Sequence, residues 1–296
     1  MSTSQSSNLR GIAFMVIATG VFSTNDVLMK LATTGLPPYE VLFLRGVMAS
    51  LLMLPLILLT GNGRHLHRVV DKWVLIRNSF EFMAVLCFIV ALANMPIADL
   101  SALGQISPML LLLGVAVIYR EKIGFARMVL ITVGFAGALL VAQPGLTGFS
   151  PYAVLGLLTA VGTAARDIAG RKVASNIPAP IVAYATLLLV MAGSGVATFV
   201  FEDWVMPSPR HLLLLAGSGL FLSLGHLFIF LSYRNAATGA VAPFYYLFSV
   251  WAVLSGFFVF GTFPNTLALY GIALIVASGI AVVFLDQRRR RLAVLA

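Results

Sequence analysis

Apolar stretches of about 20 residues follow one another along most of the chain, each bounded by glycine, proline or charged residues. A transmembrane helix needs about 20 mainly apolar residues, and these windows predict ten spans, at residues 10–32, 38–59, 73–94, 99–119, 125–142, 151–170, 179–201, 211–233, 239–260 and 265–285. A β-barrel would need strands of about 10 residues with alternating polarity, a pattern that the sequence lacks. Since lipid cannot satisfy backbone hydrogen bonds, we predict an all-α integral membrane protein with ten transmembrane helices.

Composition argues against a soluble enzyme with a single membrane anchor. The 296 residues are 60% hydrophobic and 10% charged, whereas soluble domains carry roughly 25% charged residues. Ten spans joined by short loops leave no segment for a separate catalytic domain. The single cysteine, Cys87, lies in an apolar run, so no intramolecular disulfide is expected.

Lysine and arginine lie mainly on one side of the predicted bundle. The loops and span ends of that side carry 16 of the 19 basic residues, and only Lys30, Arg45 and Arg210 fall on the other side. Because cytoplasmic loops are enriched in Lys and Arg, we predict a multi-pass membrane protein with cytoplasmic termini. The net charge of +9 and the basic tail at 288–291 then indicate topology and contact with membrane lipid rather than with nucleic acid.

A polar motif near the end of the first span returns in the sixth. A shift of 141 residues brings Asp26 onto Asp167, Lys30 onto Arg171 and Pro37 onto Pro178, so both segments read D-x3-[KR]-x6-P. The chain therefore divides into two five-helix halves, 1–146 and 147–296. An odd number of helices gives the halves opposite orientations, and such inverted repeats are common in secondary transporters, which bind substrate between the halves.

These features resemble the drug/metabolite transporter (DMT) superfamily, and within it the EamA-type members. The spacing of Pro108 and Glu121 in SALGQISPMLLLLGVAVIYREKI is similar to the end of the first EamA repeat, whereas the second half has Phe248 and Gly261 at the matching positions. The resemblance implies two inverted EamA-like repeats, transport by alternating access and a location in the bacterial inner membrane. Similarity to the YddG-type amino-acid exporters implies export of aromatic and other neutral amino acids.

Motifs of ATP-driven pumps and of metalloenzymes do not occur in the sequence. There is no G-x-x-x-x-G-K-[ST] loop and no H-E-x-x-H pair, and the four histidines form no convincing metal site. We therefore expect a transporter without catalytic residues, cofactor or metal, which is either coupled to a gradient such as that of protons or facilitative. Two alternatives stay open: a flippase of the same fold for lipid or lipid-linked sugar, and, less favoured, an intramembrane enzyme.

Polar and aromatic residues inside the spans are the candidates for a substrate cavity, because polar groups are costly in lipid and are kept there for function. Glu81 lies about 13 Å inside the cytoplasmic edge at ~1.5 Å per residue. Three roles stay open for it: an ion pair with Arg77, a proton site, and a contact for a substrate ammonium group. The candidate cavity residues are Asn78, Glu81, Phe82, Gln105, His226, Tyr245 and Tyr246.

The repeated charged motif supplies candidate gate residues. Each acid and base pair either caps its helix end, where the dipole favours the cation, or closes one side of the cavity in one transport state. Arg45 either contacts a substrate carboxylate or Asp26, or extends outward to the interface. The candidate gate residues are Asp26, Lys30, Arg45, Asp167 and Arg171.

Small residues mark the fifth and tenth spans. Gly134-x3-Ala138 and Ala277-x3-Ala281 allow close helix contact. We interpret these spans as scaffold, packed within the chain or at a homodimer interface.

The predicted topology is tested with single cysteines in a Cys87→Ala background and an impermeant thiol reagent on intact cells. Cysteines at the predicted cytoplasmic positions should be shielded (Ser4, Asn62, Asn176 and Leu295), and those at the predicted outer positions should react (Thr34, Thr147 and Asn265). Labelling of position 62 from outside would contradict both the span count and the inverted repeat.

Overall fold

The computed structural model describes residues 2–118, 125–142, 150–170, 172–235, 244 and 247–295 of the chain. Within these ranges the chain forms eleven α-helices and one 3-10 helix, η1. In chain order they are α1 (Ser2–Ala32), α2 (Pro38–Leu59), η1 (Asn62–Val70), α3 (Lys72–Asn94), α4 (Ile97–Gly104), α5 (Ser107–Ile118), α6 (Phe125–Ala142), α7 (Tyr152–Gly170), α8 (Ala179–Phe201), α9 (Pro209–Asn235), α10 (Leu247–Phe260) and α11 (Thr266–Leu295).

The helices confirm an all-helical, multi-pass membrane protein. Among the described residues, α1, α2, α3, α7, α8 and α9 each contain a segment long and apolar enough to cross a membrane, and α10 and residues 266–281 of α11 are shorter apolar helices. We call the end of the bundle where α1 passes to α2 the α1–α2 end, and the opposite end, which carries η1, the η1 end.

The fourth predicted span, 99–119, is not one helix but two. It is divided into α4 and α5 at Gln105 and Ile106, where Ile106 N donates to Leu103 O at 3.1 Å in a 3-10-type bond. Pro108 follows directly, and a proline cannot donate the backbone bond to the carbonyl four residues earlier. The helix therefore breaks inside the membrane-spanning region.

Prolines begin the helices that follow the two copies of the repeated motif. Pro37 and Pro178 are the N-cap residues of α2 and α8, with nearly equal backbone angles (φ −58°, ψ 147° and φ −62°, ψ 139°). The fixed φ of proline suits the start of a helix and excludes the continuation of the preceding one. The motif therefore ends in the same local structure in both halves.

Four helix pairs make the main contacts between described elements. Helix α1 packs along α9, α3 along α7, α2 along α8, and α6 along α11. Membrane helices gain little from hydrophobic contact with one another and instead pack closely through small residues. Gly46 of α2 lies against Met191 of α8, and Gly137 of α6 lies against the backbone of Gly271 in α11.

Two glutamates join the start of α2 to the loop after α8 at the α1–α2 end. The Glu202 carboxylate accepts hydrogen bonds from Tyr39 N at 2.9 Å and Glu40 N at 3.1 Å. Glu40 in turn accepts from Val205 N at 3.0 Å. Glu202 therefore satisfies free N–H groups of the first turn of α2, where a negative charge is favoured.

The close approach of α2 and α8 predicts that Gly46→Ala is destabilising. A Cβ at Gly46 would lie 2.9 Å from Met191 Cβ and 3.1 Å from Met191 Cα, so the helix backbones must separate. We expect a loss of about 1–3 kcal/mol and a lower melting temperature in detergent. Gly104→Ala is the matched control, because no described atom lies within 4 Å of the added Cβ. Equal melting temperatures for the two variants would contradict the packing.

Candidate functional site

Charged and titratable side chains from five helices approach one another inside the bundle. We call this group the central polar cluster. Electrostatic interactions link Arg45 to Asp26 and Glu81, and His226 to Glu81, Arg45 and Arg166. The cluster consists of Asp26 (α1), Arg45 (α2), Glu81 (α3), Arg166 and Asp167 (α7) and His226 (α9).

An ion pair joins α7 to α3 within the cluster. Arg166 Nη1 lies 2.8 Å from Glu81 Oε2, and Arg166 Nε lies 2.8 Å from Asp167 Oδ1. The Arg166 and Glu81 side chains retain 22% and 19% of their exposure, so the pair borders accessible space. Both carboxylates are thus held by one guanidinium.

The expected pair of Arg77 with Glu81 does not form as a direct contact. Arg77 Nη1 instead donates to Asn78 Oδ1 at 2.6 Å and to Thr186 Oγ1 of α8 at 3.2 Å. Spacing of four residues on one helix allows such a pair, but α7 brings Arg166 to Glu81 and α8 offers Arg77 a hydroxyl. Arg77 remains within electrostatic range of Glu81.

Asn78 is fully buried beside these groups. Its Oδ1 accepts from Arg77 and from Thr186 Oγ1, the latter at 2.9 Å, while its Nδ2 has no partner among the described residues. A buried donor without an acceptor costs about 1–3 kcal/mol. Asn78 therefore presents an amide donor close to the cluster.

Arg45 also carries a donor without a described acceptor. The side chain is 7% exposed, and its Nη1 donates to Met29 Sδ at 3.1 Å. A thioether is a weak acceptor, and Arg45 Nε finds no hydrogen-bond partner in the described part of the chain. Because the penalty is larger for a charged group, Arg45 is suited to bind an anion.

Asp26 and Lys30 do not contact each other as an end-of-helix pair. Asp26 Oδ1 accepts from Asn25 Nδ2 at 2.9 Å, and Asn25 Oδ1 accepts from Ser218 of α9 at 2.7 Å. Lys30 Nζ donates across to Leu92 O at 2.5 Å and Met95 O at 2.7 Å, where the last carbonyls of α3 favour a cation. The Phe260 ring lies 5.6 Å from the same Nζ.

The His226 side chain is exposed, although it interacts electrostatically with Glu81, Arg45 and Arg166 of three other helices. Its Nδ1 atom lies 2.8 Å from Leu222 O. The Phe22 ring meets the imidazole edge to face at 5.3 Å between centroids.

The remaining candidate cavity residues differ in their placement. The Phe82 ring packs directly on Gly193 of α8, so Phe82 contributes to the contact between α3 and α8. Gln105 is 3% exposed at the break between α4 and α5, and its Oε1 has no described partner. No described hydrogen bond connects Gln105 to the central polar cluster. Tyr245, Tyr246 and Arg171 lie outside the described residues.

Two residues of this site, Arg166 and Thr186, are not among the candidates named from the sequence. Arg166 is one of the 16 basic residues of the predicted cytoplasmic side. Arg166 falls inside the predicted span 151–170, and an arginine within a span is itself a signal of a polar site. Thr186 gave no comparable signal, because a single threonine in an apolar helix usually bonds its own backbone, as Thr186 also does with Val182 O at 3.0 Å.

Charges of both signs are balanced in and beside the central polar cluster. Asp26, Glu81 and Asp167 supply three carboxylates, and Arg45, Arg166 and the nearby Arg77 supply three guanidinium groups. Such an arrangement suits a molecule that carries both charges. The described residues contain no group of three or more His, Cys, Asp or Glu placed to hold a metal ion.

Nearly half of the chain matches the model of a known protein family. Residues 9–143 match the model of the EamA-like transporter family. A solved crystal structure aligns with a TM-score of 0.66 at 21% identity, covering 94% of this chain and 98% of that chain. At this identity the structural match shows a shared fold alone.

Curated relatives cover nearly the whole chain. The pseudopaline exporter CntI of Pseudomonas aeruginosa is 30% identical over 278 residues, which are 92% of this chain and 95% of that protein. A riboflavin transporter of Vibrio cholerae is 29% identical, covering 94% and 93%. An S-adenosylmethionine uptake transporter of Rickettsia prowazekii is 24% identical, covering 95% and 94%.

Proposed function

Because the chain belongs to the EamA-like transporter family of the DMT superfamily, we propose that it exports small zwitterionic metabolites by alternating access. The substrate class we propose is amino acids with neutral or aromatic side chains. The membrane is the bacterial inner membrane, with both termini in the cytoplasm. The pseudopaline exporter among the relatives supports the outward direction.

The observation that carries this proposal is an unpaired donor of Arg45 in the same polar cluster as Glu81. Arg45 Nε is buried without a described acceptor, and Arg45 interacts electrostatically with Glu81. A substrate carboxylate would complete the hydrogen bonds of Arg45, and its ammonium group would compete with Arg166 for Glu81. Charge-assisted bonds of this kind are the stronger ones in proteins.

Aromatic rings beside the charges support an amphipathic substrate. Phe22 and His226 form an edge-to-face pair next to Glu81, and Phe82 lies one residue from Glu81 on α3. Binding sites for small molecules combine an apolar wall with a few placed polar groups. We assign Gln105, Tyr245 and Tyr246 to the same cavity as a proposal from the repeat.

The helix contacts support alternating access between two inverted halves, 1–146 and 147–296. Under the proposed repeat, α1 corresponds to α7 and α3 to α9, and the contact of α1 with α9 is matched by that of α7 with α3. Helices α2 and α8, and α6 and α11, are counterparts that pack on each other. Rocking of one half against the other would then exchange which side of the cavity is open.

We assign the gates to the two copies of the charged motif. Lys30 bridges α1 to the last carbonyls of α3 at the α1–α2 end, with Asp26 and Arg45 beneath it. Asp167 holds Arg166, which bridges α7 to α3 toward the η1 end. Arg171, the counterpart of Lys30, is proposed to act at that end. A bond of this kind shifts the equilibrium only if it exists in one state and not in the other.

The proposed substrate class is tested with purified protein in liposomes by competition among phenylalanine, phenethylamine and 3-phenylpropionate. The parent should prefer phenylalanine, which carries both charged groups. Arg45→Gln should remove the preference over phenethylamine, and Glu81→Gln the preference over 3-phenylpropionate. Each change should weaken phenylalanine transport roughly 10- to 100-fold, since a hydrogen bond to a charged group contributes about 1.5–3 kcal/mol.

Arg210→Gln is the matched control, because it removes an arginine outside the central polar cluster. Transport of no amino acid at any pH, together with flipping of a labelled lipid, would favour the flippase and contradict the proposal. An imposed pH gradient in the same vesicles decides the coupling. If Glu81 carries a coupling proton, Glu81→Gln should lose accumulation against a gradient and keep downhill exchange.

The gates are tested by the accessibility of a single cysteine at position 226 in a Cys87→Ala background. Lys30→Gln should increase labelling from the α1–α2 end, and Asp167→Asn should increase labelling from the η1 end. The expected change is about tenfold, because the lost bonds are charge-assisted. Thr34→Ala is the control for Lys30, since the Thr34 hydroxyl donates to Leu31 O of its own turn. Shifts in the same direction from both variants would refute opposed gates.

A further inference from the structure

An apolar groove lies at the η1 end, on a different side of α7 from the ion pair of Arg166 with Glu81. It lies between α3, α5 and α7 and has a volume of about 260 Å³. Seven of its eight lining residues are Trp, Phe, Ile or Ala, and the eighth is Lys172. Phe80 and Ile118 on its rim are 43% and 57% exposed. The groove therefore opens on the surface of the helix bundle that faces lipid in a membrane protein.

Helix α7 packs closely on the two helices beside the groove. Gly114 of α5 has no side chain, and Ile168 of α7 packs onto its backbone. Gly162 of α7 likewise lies against Ala84 of α3. With its exposed rim, the groove is accessible to molecules of the surrounding membrane.

Lys172 places a positive charge at the end of this groove. Its Nζ lies 4.5 Å from the centre of the Trp73 ring, a cation–π contact. Lys172 forms no ion pair with any carboxylate of the described ranges. Tryptophan is enriched at the depth of the lipid headgroups, and Trp73 is the second residue of α3. The Lys172 ammonium group thus lies at the depth of the lipid headgroups, at the end of the apolar groove.

We propose that this groove binds an anionic phospholipid, with one acyl chain against Ile76, Phe80 and Ala165 and the phosphate on Lys172. The charge and the lining are complementary to this occupant and to its orientation. Sites that enclose a whole small molecule usually measure about 300–1,000 Å³, and this groove is smaller, which suits a chain segment. Basic pockets between transmembrane helices are a known means of holding anionic headgroups.

The test uses Trp73 as the only tryptophan, in a Trp204→Phe, Trp251→Phe variant reconstituted in bilayers. Phosphatidylglycerol and phosphatidylcholine, each brominated on the acyl chains, are compared as quenchers of Trp73 fluorescence. The relative binding constant should favour phosphatidylglycerol about fivefold, the effect expected of one basic residue at an anionic lipid surface. Lys172→Arg should keep this preference, and Lys172→Gln should remove it.

Two further variants separate a defined site from general surface charge. Arg64→Gln removes an exposed basic residue of η1, outside the groove, and should leave the preference unchanged. Ala165→Leu fills the groove and should reduce quenching by both lipids while Lys172 remains. Equal quenching by the two lipids in the parent, or a preference that survives Lys172→Gln, would overturn the proposal. Neither result depends on which substrate the protein carries.

Discussion

A charged side chain in the middle of a bilayer costs about 2.5–3.5 kcal/mol even on the lowest scales. In this protein, two intramembrane cations bind groups of another helix. Arg166 holds Glu81 of α3 and its neighbour Asp167, and Lys30 takes the last carbonyls of α3. At the α1–α2 end, the Glu202 and Glu40 carboxylates accept hydrogen bonds from backbone N–H groups. The relative positions of α1, α2, α3 and α7 therefore depend on satisfying polar groups away from water.

Two buried donors of the proposed substrate site have no hydrogen-bond partner among the described residues. Arg45 Nε and Asn78 Nδ2 are buried without acceptors in the described part of the molecule, and His226 is accessible beside them. Unsatisfied donors are costly, so a site that keeps them gains when a ligand supplies acceptors. Fully paired charges would make a rigid bundle, whereas these charges leave room for a substrate to join the network.

The two copies of the charged motif have the same sequence pattern but different contacts. Asp26 bonds Asn25, which is held by Ser218 of α9, whereas Asp167 bonds Arg166, at the position that corresponds to Asn25. Exchange of an amide for a guanidinium at one position thus gives the two ends of the bundle different interactions.

The sequence by itself determined the all-α membrane class and most helix positions, because lipid admits only helices or closed barrels and the apolar windows are long. It also determined which residues are candidates, since intramembrane charges are few. Only the tertiary structure decided their partners. Spacing on α3 permits Arg77 to reach Glu81, yet Arg166 of α7 holds Glu81 and Thr186 of α8 holds Arg77. The packing of Phe82 on Gly193 also depends on a neighbouring helix. The spacing of residues along one helix determines which of them lie on the same face. The rotation and distance of the neighbouring helices determine which residues that face contacts.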